Sequence, residues 1–316
     1  MTEMVDASII IPAYNAQEHI KTVLDSLLKE TSNSFEIIVV NDGSTDDTAA
    51  VLATFNDSRL RVITQENMGV YAARNAALSV HRGRWVMFLD ADDSVSPDFI
   101  ANRLRIAEQS GADVVIFNAL RSGGDITKAR AVHTRQPYNT IISGTYWINH
   151  SVDCREWPHY LWLQTISSEF IRKHGLKFQT GRSHKDILWT AELATHGGSF
   201  LIRPEKDYIY HFNPASITNR NDYHDFRAIS YIDVVSSFLE LANRPENQTV
   251  KSALIRHSLN ECRHFFGLYK RKVLDRKGLK EQFRKRISLL TIAQGIRTPR
   301  DLFFFLKLAR QLLISI

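Results

Sequence analysis

The first 118 residues alternate between short apolar runs and segments whose apolar residues recur at helical spacing. Residues 7–14, "ASIIIPAY", form a β-branched run ending at Pro12, and predict a strand. Ile20, Val23, Leu24, Leu27 and Leu28 then predict a helix, with Asn15 as its N-cap and Glu18 three residues on. Residues 35–40 predict a second strand, stopped by "NDGSTDD", and Thr48 to Phe55 a helix. "RLRVIT" is a third strand, residues 69–78 an Ala-rich helix, and residues 84–89 a fourth strand ending at Asp90. Pro97 sits where a helix starts, with Phe99, Ile100, Leu104 and Ala107 on one face, and "ADVVIFNA" is a fifth strand. Strands that are nearly continuously apolar, alternating with helices, predict an α/β fold with a parallel sheet covered on both faces.

The pattern weakens between Ser122 and Tyr146, which reads as loops and short strands. Residues 147–162 are rich in Trp and His. Residues 184–198 read as a loop entering an amphipathic helix, with Ile187, Leu188, Ala191, Leu193 and Ala194 inward and Gly197 and Gly198 ending it. Residues 206–212 predict a sixth strand. Beyond about Asp225 the chain becomes helical and increasingly basic. The expected organisation is an α/β body over 1–225, in halves 1–118 and 119–225, followed by a basic helical region over 226–316.

Composition narrows this picture. With 44% hydrophobic and 23% charged residues in 316, the chain is globular rather than disordered or fibrous. Two cysteines, Cys154 and Cys262, exclude a disulfide scaffold and a Cys-rich zinc site. No apolar run reaches the ~20 residues of a membrane span. The acidic N-terminal start lacks the basic region and long apolar run of a signal peptide, so a cytoplasmic location is expected. The net charge of +6 is unevenly placed: Lys251 to Ile316 holds 16 basic against 4 acidic residues, and the remainder is net negative. A basic tail suits a polyanion, either a membrane surface or a nucleic acid. No recognisable nucleic-acid module accompanies the charge, so no nucleic-acid partner is expected. Leu302, Phe305, Leu306, Ala309, Leu313 and Ile316 share one helical face, with Lys307 and Arg310 on another. That is the pattern of an interfacial helix on an anionic membrane, or of a helix packed on the body with a solvated basic face.

The chemistry gathers at strand ends. Four strands are followed at once by polar clusters: "PAYN", "NDGS", "QENMG" and "DADD". Ligands of open α/β sheets bind beyond the carboxyl ends of the strands, which places Tyr14, Asp42, Asn67, Asp90 and Asp92 around one crevice. The carboxylates of Asp90, Asp92 and Asp93 repel one another unless offset. A divalent cation does this, and Mg²⁺ or Mn²⁺ held by one or two carboxylates plus phosphate oxygens suits a diphosphate ligand. The alternative is a solvated turn capping the helix after Pro97. Asp42 can accept from a base N–H or a ribose hydroxyl, and Tyr14 can stack on a base or pack into the core. Asp186 is either a general base or a helix cap, with His184 supporting it and Lys185 a solvated charge. His211, at the end of the sixth strand, is a third metal ligand, a phosphate contact or a structural residue. There is no G-x-G-x-x-G after the first strand, no P-loop, no HExxH and no nucleophile elbow.

"SIIIPAYN", "FEIIVVNDGSTDDT", "QENMGVYAARNAAL" and "GRWVMFLDADD" together resemble the nucleotide-binding half of family 2 inverting glycosyltransferases, which have the GT-A fold. "KFQTGRSHKDILWTAELA" and "DYIYHFNPASIT" extend the likeness into the acceptor half. Within this half, "REWPHYLWLQTISSEFIRKHGLKF" plus "HKDILW" is similar to enzymes that decorate the lipopolysaccharide core, glucuronosyl- and rhamnosyltransferases among them. The resemblance implies a mostly parallel Rossmann-like sheet and an inverting, metal-dependent transfer from a UDP- or dTDP-linked sugar to a lipid-linked glycan acceptor at the cytoplasmic face of the inner membrane. It implies that Tyr14 stacks on the base, Asp42 hydrogen-bonds it, Arg74 lies near the nucleotide and Asp90 contacts the ribose. Pro12, Asn67, Gly69 and Ala91 line the same donor site. Asp92 holds Mn²⁺ or Mg²⁺, with His211 as a further ligand, Asp186 is the base, and His184 and Asp93 support these groups. Lys185 stands where the family often has an acidic residue, and Ala77 where it often has Gly. Capsule, exopolysaccharide or O-antigen is the alternative acceptor, and a non-catalytic scaffold of a polysaccharide assembly complex the alternative role.

Overall fold

The computed structural model describes residues 4–31, 34–122, 126–181, 183–211 and 223–313. The chain divides into two compact units: residues 1–144, 158–180 and 196–212 in one, and 145–157, 181–195 and 213–316 in the other. Residues 145–157 and 181–195, expected with the α/β body, thus cluster with the C-terminal helices.

The first unit is built on a sheet. Its parallel half contains β1 (Val5–Ala13), β2 (Phe35–Asp42), β3 (Leu60–Gln65) and β4 (Gly83–Phe88), in the order β3-β2-β1-β4. The helices α1 (Ile20–Leu28), α2 (Thr48–Ala53) and α3 (Val70–Leu78) connect these strands. All eight residues of β2 are buried, as a strand covered on both faces requires. β5 (Ser94–Val95) and α4 (Phe99–Ser110) follow, then β6 (Val114–Ser122). The face expected of α4 is its buried face: Phe99, Ile100, Leu104 and Ala107 are all inaccessible to solvent.

Two further strands complete the sheet. β9 (Gln164–Ser167) enters antiparallel between β4 and β6, and β10 (Ser199–His211) runs parallel to β6 and antiparallel to β5. The sheet is mostly parallel, as expected: β1, β2, β3, β4, β6 and β10 share one direction, and β9 and the short β5 oppose it. β10 is longer than the predicted sixth strand and shifts register on either side of Lys206, close to Pro204, whose missing N–H breaks the ladder. The weakly patterned stretch holds β7 (Arg130–Ala131) and β8 (Ile141–Ser143), pairing with β6 and β10.

Helix capping differs from the expected scheme. Asn15 adopts a left-handed φ of 50° and does not cap α1; its Oδ1 accepts from the Thr45 N–H at 2.8 Å, tying the loop after β1 to the loop after β2. Asp98, before α4, is also left-handed and gives no cap bond. The buried Glu30 carboxylate instead accepts from the N–H groups of Ile100 at 3.0 Å and Ala101 at 3.1 Å, capping α4 from a distant point in the sequence.

Arg103, fully buried on α4, joins three elements. Its Nε and Nη2 each donate to Asp207 on β10 at 2.7 Å, and its Nη1 donates to the Trp162 carbonyl at 2.9 Å just before β9. The guanidinium also lies 4.1 Å from the centre of the Phe99 ring and 4.6 Å from that of Phe117.

The second unit is helical: α5 (Gly144–Asp153), which begins at the unit boundary, α7 (Lys185–Thr195), α8 (His224–Asn243), α9 (Lys251–Arg271), α10 (Arg276–Arg286), α11 (Leu289–Ala293) and α12 (Pro299–Leu313). The helix α6 (Ser168–Lys173) belongs to the first unit. α9 packs along α8 and also contacts α11 and α12. The core is aromatic: the Trp157 ring lies 4.7 Å from Trp147 and 4.3 Å from His257, and Phe265 lies 4.9 Å from Phe283. Ile187, Leu188, Ala191, Leu193 and Ala194 of α7 are buried as expected. Among the described residues no helix is long and apolar enough to cross a membrane.

Two outcomes test this packing. Asp207→Ala leaves the buried Arg103 charge unpaired and is expected to cost about 3–5 kcal/mol, read as a lowered Tm. The double variant Arg103→Met/Asp207→Ala removes both charges and should cost less.

Candidate active site

The strand ends converge as the polar clusters imply. β1, β2 and β4 are parallel neighbours, with Ala13 level with Asn41 and Ile10 level with Phe88. Tyr14 follows β1 directly, is 43% exposed, and is not a core residue. Pro12 lies on β1 beside Val40, and Asn67 is exposed in the loop after β3. Gly43 must be glycine: its φ is +70° and a Cβ there would meet the Asn67 nitrogen at 2.7 Å.

Asp42 is buried, and both of its oxygens face the protein. Oδ1 accepts from Gln65 Nε2 at 2.7 Å and from the Met68 N–H at 2.9 Å, and Oδ2 accepts from the Gly69 N–H at 2.8 Å. Asp42 thereby shapes the Asn67–Gly69 loop and the entry to α3, where Gly69 has a φ of 90°. Arg74 on α3 is buried and donates Nη2 to Asp90 Oδ1 at 2.8 Å, with its guanidinium 5.5 Å from the centre of the Tyr71 ring.

The three carboxylates after β4 have distinct surroundings. Asp90 pairs with Arg74. Asp93 is buried, accepting from the Tyr208 hydroxyl at 2.6 Å and the His211 N–H at 2.9 Å. Burial, and then the neighbouring Asp90 charge, push its carboxyl up to about 8. Among the described residues, Asp92 has neither a hydrogen-bond nor an ion-pair partner. Ala91, between them, is nearly buried. The Nε2 of His211 is hydrogen-bonded to Ser94 Oγ at 2.9 Å, so the ring is tied to β5.

Among the described residues no three His, Cys, Asp or Glu side chains gather closely enough to enclose a metal ion. A partly exposed, uncommitted carboxylate beside two others nevertheless fits Mg²⁺ or Mn²⁺, which take few protein ligands and complete their shell with phosphate oxygens and water. Asp92 would hold the ion.

Sequence reasoning missed a stack of rings beside this cluster. The Trp162 ring is stacked on Tyr208 at 4.6 Å and on Tyr160 at 4.9 Å, and Arg121 donates to the Tyr160 hydroxyl at 2.6 Å. The spacing of Tyr208 and Tyr210 on one strand face carried part of that signal. Their meeting with Trp162 depends on β9, which no periodicity revealed.

Asp186 belongs to the second unit, in the first turn of α7, where the helix dipole favours an anion. The Thr190 hydroxyl donates to its backbone carbonyl at 3.0 Å. His184 is left-handed, with Nδ1 hydrogen-bonded to Ser183 Oγ and its ring 4.4 Å from that of Tyr231. Lys185 is not the solvated charge expected: it is buried, and its Nζ reaches Asp233 Oδ2 at 3.1 Å. Burial, then the Asp186 charge, push the Glu261 carboxyl of α9 up to about 8. His257 Nε2 lies 3.3 Å from Glu261 Oε1.

These environments separate the carboxylates experimentally. Asp42→Ala removes three hydrogen bonds, each worth roughly 0.5–1.5 kcal/mol, and should lower Tm. Asp92→Ala removes none and should leave Tm within error. Glu261 has a folded-state pKa above its ordinary 4.5, so the folded state binds the extra proton and stability falls as pH rises from about 4.5 through about 8. Glu261→Gln should flatten that fall in a Tm-against-pH series.

Residues 8–159 match the family model "Glycosyl transferase family 2". The chain is 31% identical over 67% of its length to the "Uncharacterized glycosyltransferase YibD" of Escherichia coli, and 30% identical over 67% to the "Succinoglycan biosynthesis protein ExoO" of Rhizobium meliloti. Each match spans 62% of the relative's own length. The structure of Staphylococcus aureus TarS 1-349 in complex with UDP-GlcNAc superimposes with a TM-score of 0.73, covering 97% of this chain and 88% of that one at 17% identity. The strand-end motifs, the family match and this shared architecture agree: the chain carries a glycosyltransferase family 2 domain, built on the GT-A fold.

Proposed function

We propose that the protein is an inverting glycosyltransferase that moves a sugar from a nucleoside diphosphate sugar to a hydroxyl of a bacterial surface glycan. The observation that carries this reading is the set of strand ends in the first unit. Asp42 orders the loop that leads into α3, Arg74 is fixed against Asp90, and Asp92 alone of the three carboxylates is uncommitted. An exposed aromatic at Tyr14 suits a base, and the UDP-GlcNAc bound to TarS makes a uridine nucleotide the first donor to test.

The acceptor is proposed to be the lipopolysaccharide core, on the likeness of residues 155–178 and 184–189 to core-decorating enzymes. The relative named for succinoglycan biosynthesis supports an exopolysaccharide acceptor as the second reading.

In the proposed reaction the Asp186 carboxylate takes the proton of the acceptor hydroxyl as that oxygen attacks the anomeric carbon. The bond from the anomeric carbon to the diphosphate breaks with its electron pair going to the departing phosphate oxygen, and the configuration inverts. A carboxylate of ordinary basicity suffices, because the alcohol becomes acidic only as the new bond forms. A divalent cation on Asp92 would neutralise charge on the diphosphate. Arg74 holds Asp90 in place, and the Asp42-ordered loop gives the nucleotide a fixed seat, so that binding pre-orients the reacting carbon.

Asp186→Asn should preserve the thermal shift produced by the donor and lower turnover by roughly a hundred- to ten-thousand-fold. Turnover near wild type would remove Asp186 from the role of base. A shift lost together with turnover would mean that the substitution disturbs donor binding instead.

A further inference from the structure

The helix α12 is apolar on two faces, and the fold uses only one. Phe304, Leu308 and Leu312 are buried, with the Phe304 ring 5.7 Å from Phe266 on α9. Asp301, the only carboxylate of the helix, is buried on this side as well, where it accepts from Arg263 at 2.6 Å and from Thr298 Oγ1 at 2.8 Å. The inner face is thus fully occupied, and the carboxylate is withdrawn from the outside.

The outer face is different. Leu302, Phe303, Leu306 and Leu313 are 47%, 62%, 56% and 57% exposed. Leu302, Leu306 and Leu313, with Ala309, recur at the spacing of one continuous stripe. Arg310, Lys307 and Arg300 are exposed along one edge of it, and Lys307 Nζ sits 4.1 Å from the centre of the Phe303 ring. Leu290, 84% exposed, projects from α11, which contacts α12. The exposed surfaces of α10 add Arg276, Lys277, Arg284, Lys285 and Arg286 to the same unit.

Four large exposed apolar residues on four turns of helix are unfavourable in water. A stripe bordered by cations and free of exposed carboxylates matches a surface with an apolar interior and an anionic rim. Lys and Arg stems can then lie along the apolar side chains while their charges reach phosphate. We propose that the outer face of α12 docks on an anionic lipid bilayer, with Leu302, Phe303, Leu306 and Leu313 entering the headgroup boundary and Arg300, Lys307 and Arg310 on lipid phosphates. The expected membrane-facing side is refined by this placement: Phe303 joins it and Phe305 is half-buried, while Ile316 lies outside the described residues. The inference stands on the helix alone and does not depend on the transfer reaction.

The test is co-sedimentation of the full chain with phosphatidylcholine vesicles, with and without phosphatidylglycerol, at low and high salt. Binding should require the anionic lipid and weaken with salt. The double variant Leu302→Ser/Leu306→Ser should lose at least about tenfold in binding, given roughly fourfold per buried CH₂, at unchanged Tm. Lys307→Gln/Arg310→Gln should lose roughly fivefold per charge. Phe304→Ser, on the packed face, should lower Tm, which separates the two faces. No binding to anionic vesicles overturns the proposal. So does binding that survives the Leu302→Ser/Leu306→Ser change, which would reduce the interaction to non-specific charge attraction. A concentration-dependent dimer in sedimentation velocity that the same change abolishes would assign the stripe to a second copy of the chain and overturn it too.

Discussion

Three carboxylates within four residues at the end of a buried strand set the terms for the first unit. Such a group is unfavourable unless its charges are divided among different partners. Arg74, buried on α3, balances Asp90. Asp93 is turned inward, held by the Tyr208 hydroxyl and the His211 N–H, and disposed to carry a proton. Asp92 remains without a partner among the described residues. The rest of the sheet serves this division. β10 must reach the carboxylates to present Tyr208 and His211, and its irregular register allows it to do so while Asp207 of the same strand is clamped by Arg103. A long strand paired on both sides and one buried guanidinium therefore fix where the uncommitted Asp92 lies.

Most of that arrangement was legible in the sequence, for identifiable reasons. β1, β2, β4 and β6 are continuous runs of Ile, Val, Phe and Met bounded by polar clusters, and continuous apolarity is what a doubly covered strand needs. The strand-end residues followed once the strand direction was set. β9 was not legible: it is four residues long, and Gln164 and Thr165 are fully buried in it, so it carries no apolar signature. The Arg103–Asp207 clamp was equally hidden, because its partners are far apart in sequence and both read as surface charges. Lys185 misled for the same reason, and Glu30 gave no signal at all; each is a charged residue buried with a partner that only the fold supplies. Asn15 has the composition of a helix cap, but the neighbouring loop offered Thr45 as a better partner.

The second unit teaches the opposite lesson about periodicity. The apolar stripe of α12 is evident in the sequence, yet the helix has two such stripes, and only packing reveals which one meets α9. Phe304, Leu308 and Leu312 take the inner position and leave Leu302, Leu306 and Leu313 outside. The basic surplus of the C-terminal region then acquires a geometric meaning, since the exposed face of the helix bears cations and no carboxylate.

The central claim is that Asp92 and its neighbours form a site for a nucleoside diphosphate together with a divalent cation. Calorimetric titration of UDP in the presence and absence of Mn²⁺, and of Mn²⁺ in the presence and absence of UDP, tests it most directly. The account predicts that each ligand tightens the other by the same factor, as reciprocal coupling at one site requires, and that Asp92→Ala removes the coupling. UDP binding of equal strength with and without the metal, or coupling that persists in Asp92→Ala, would contradict it.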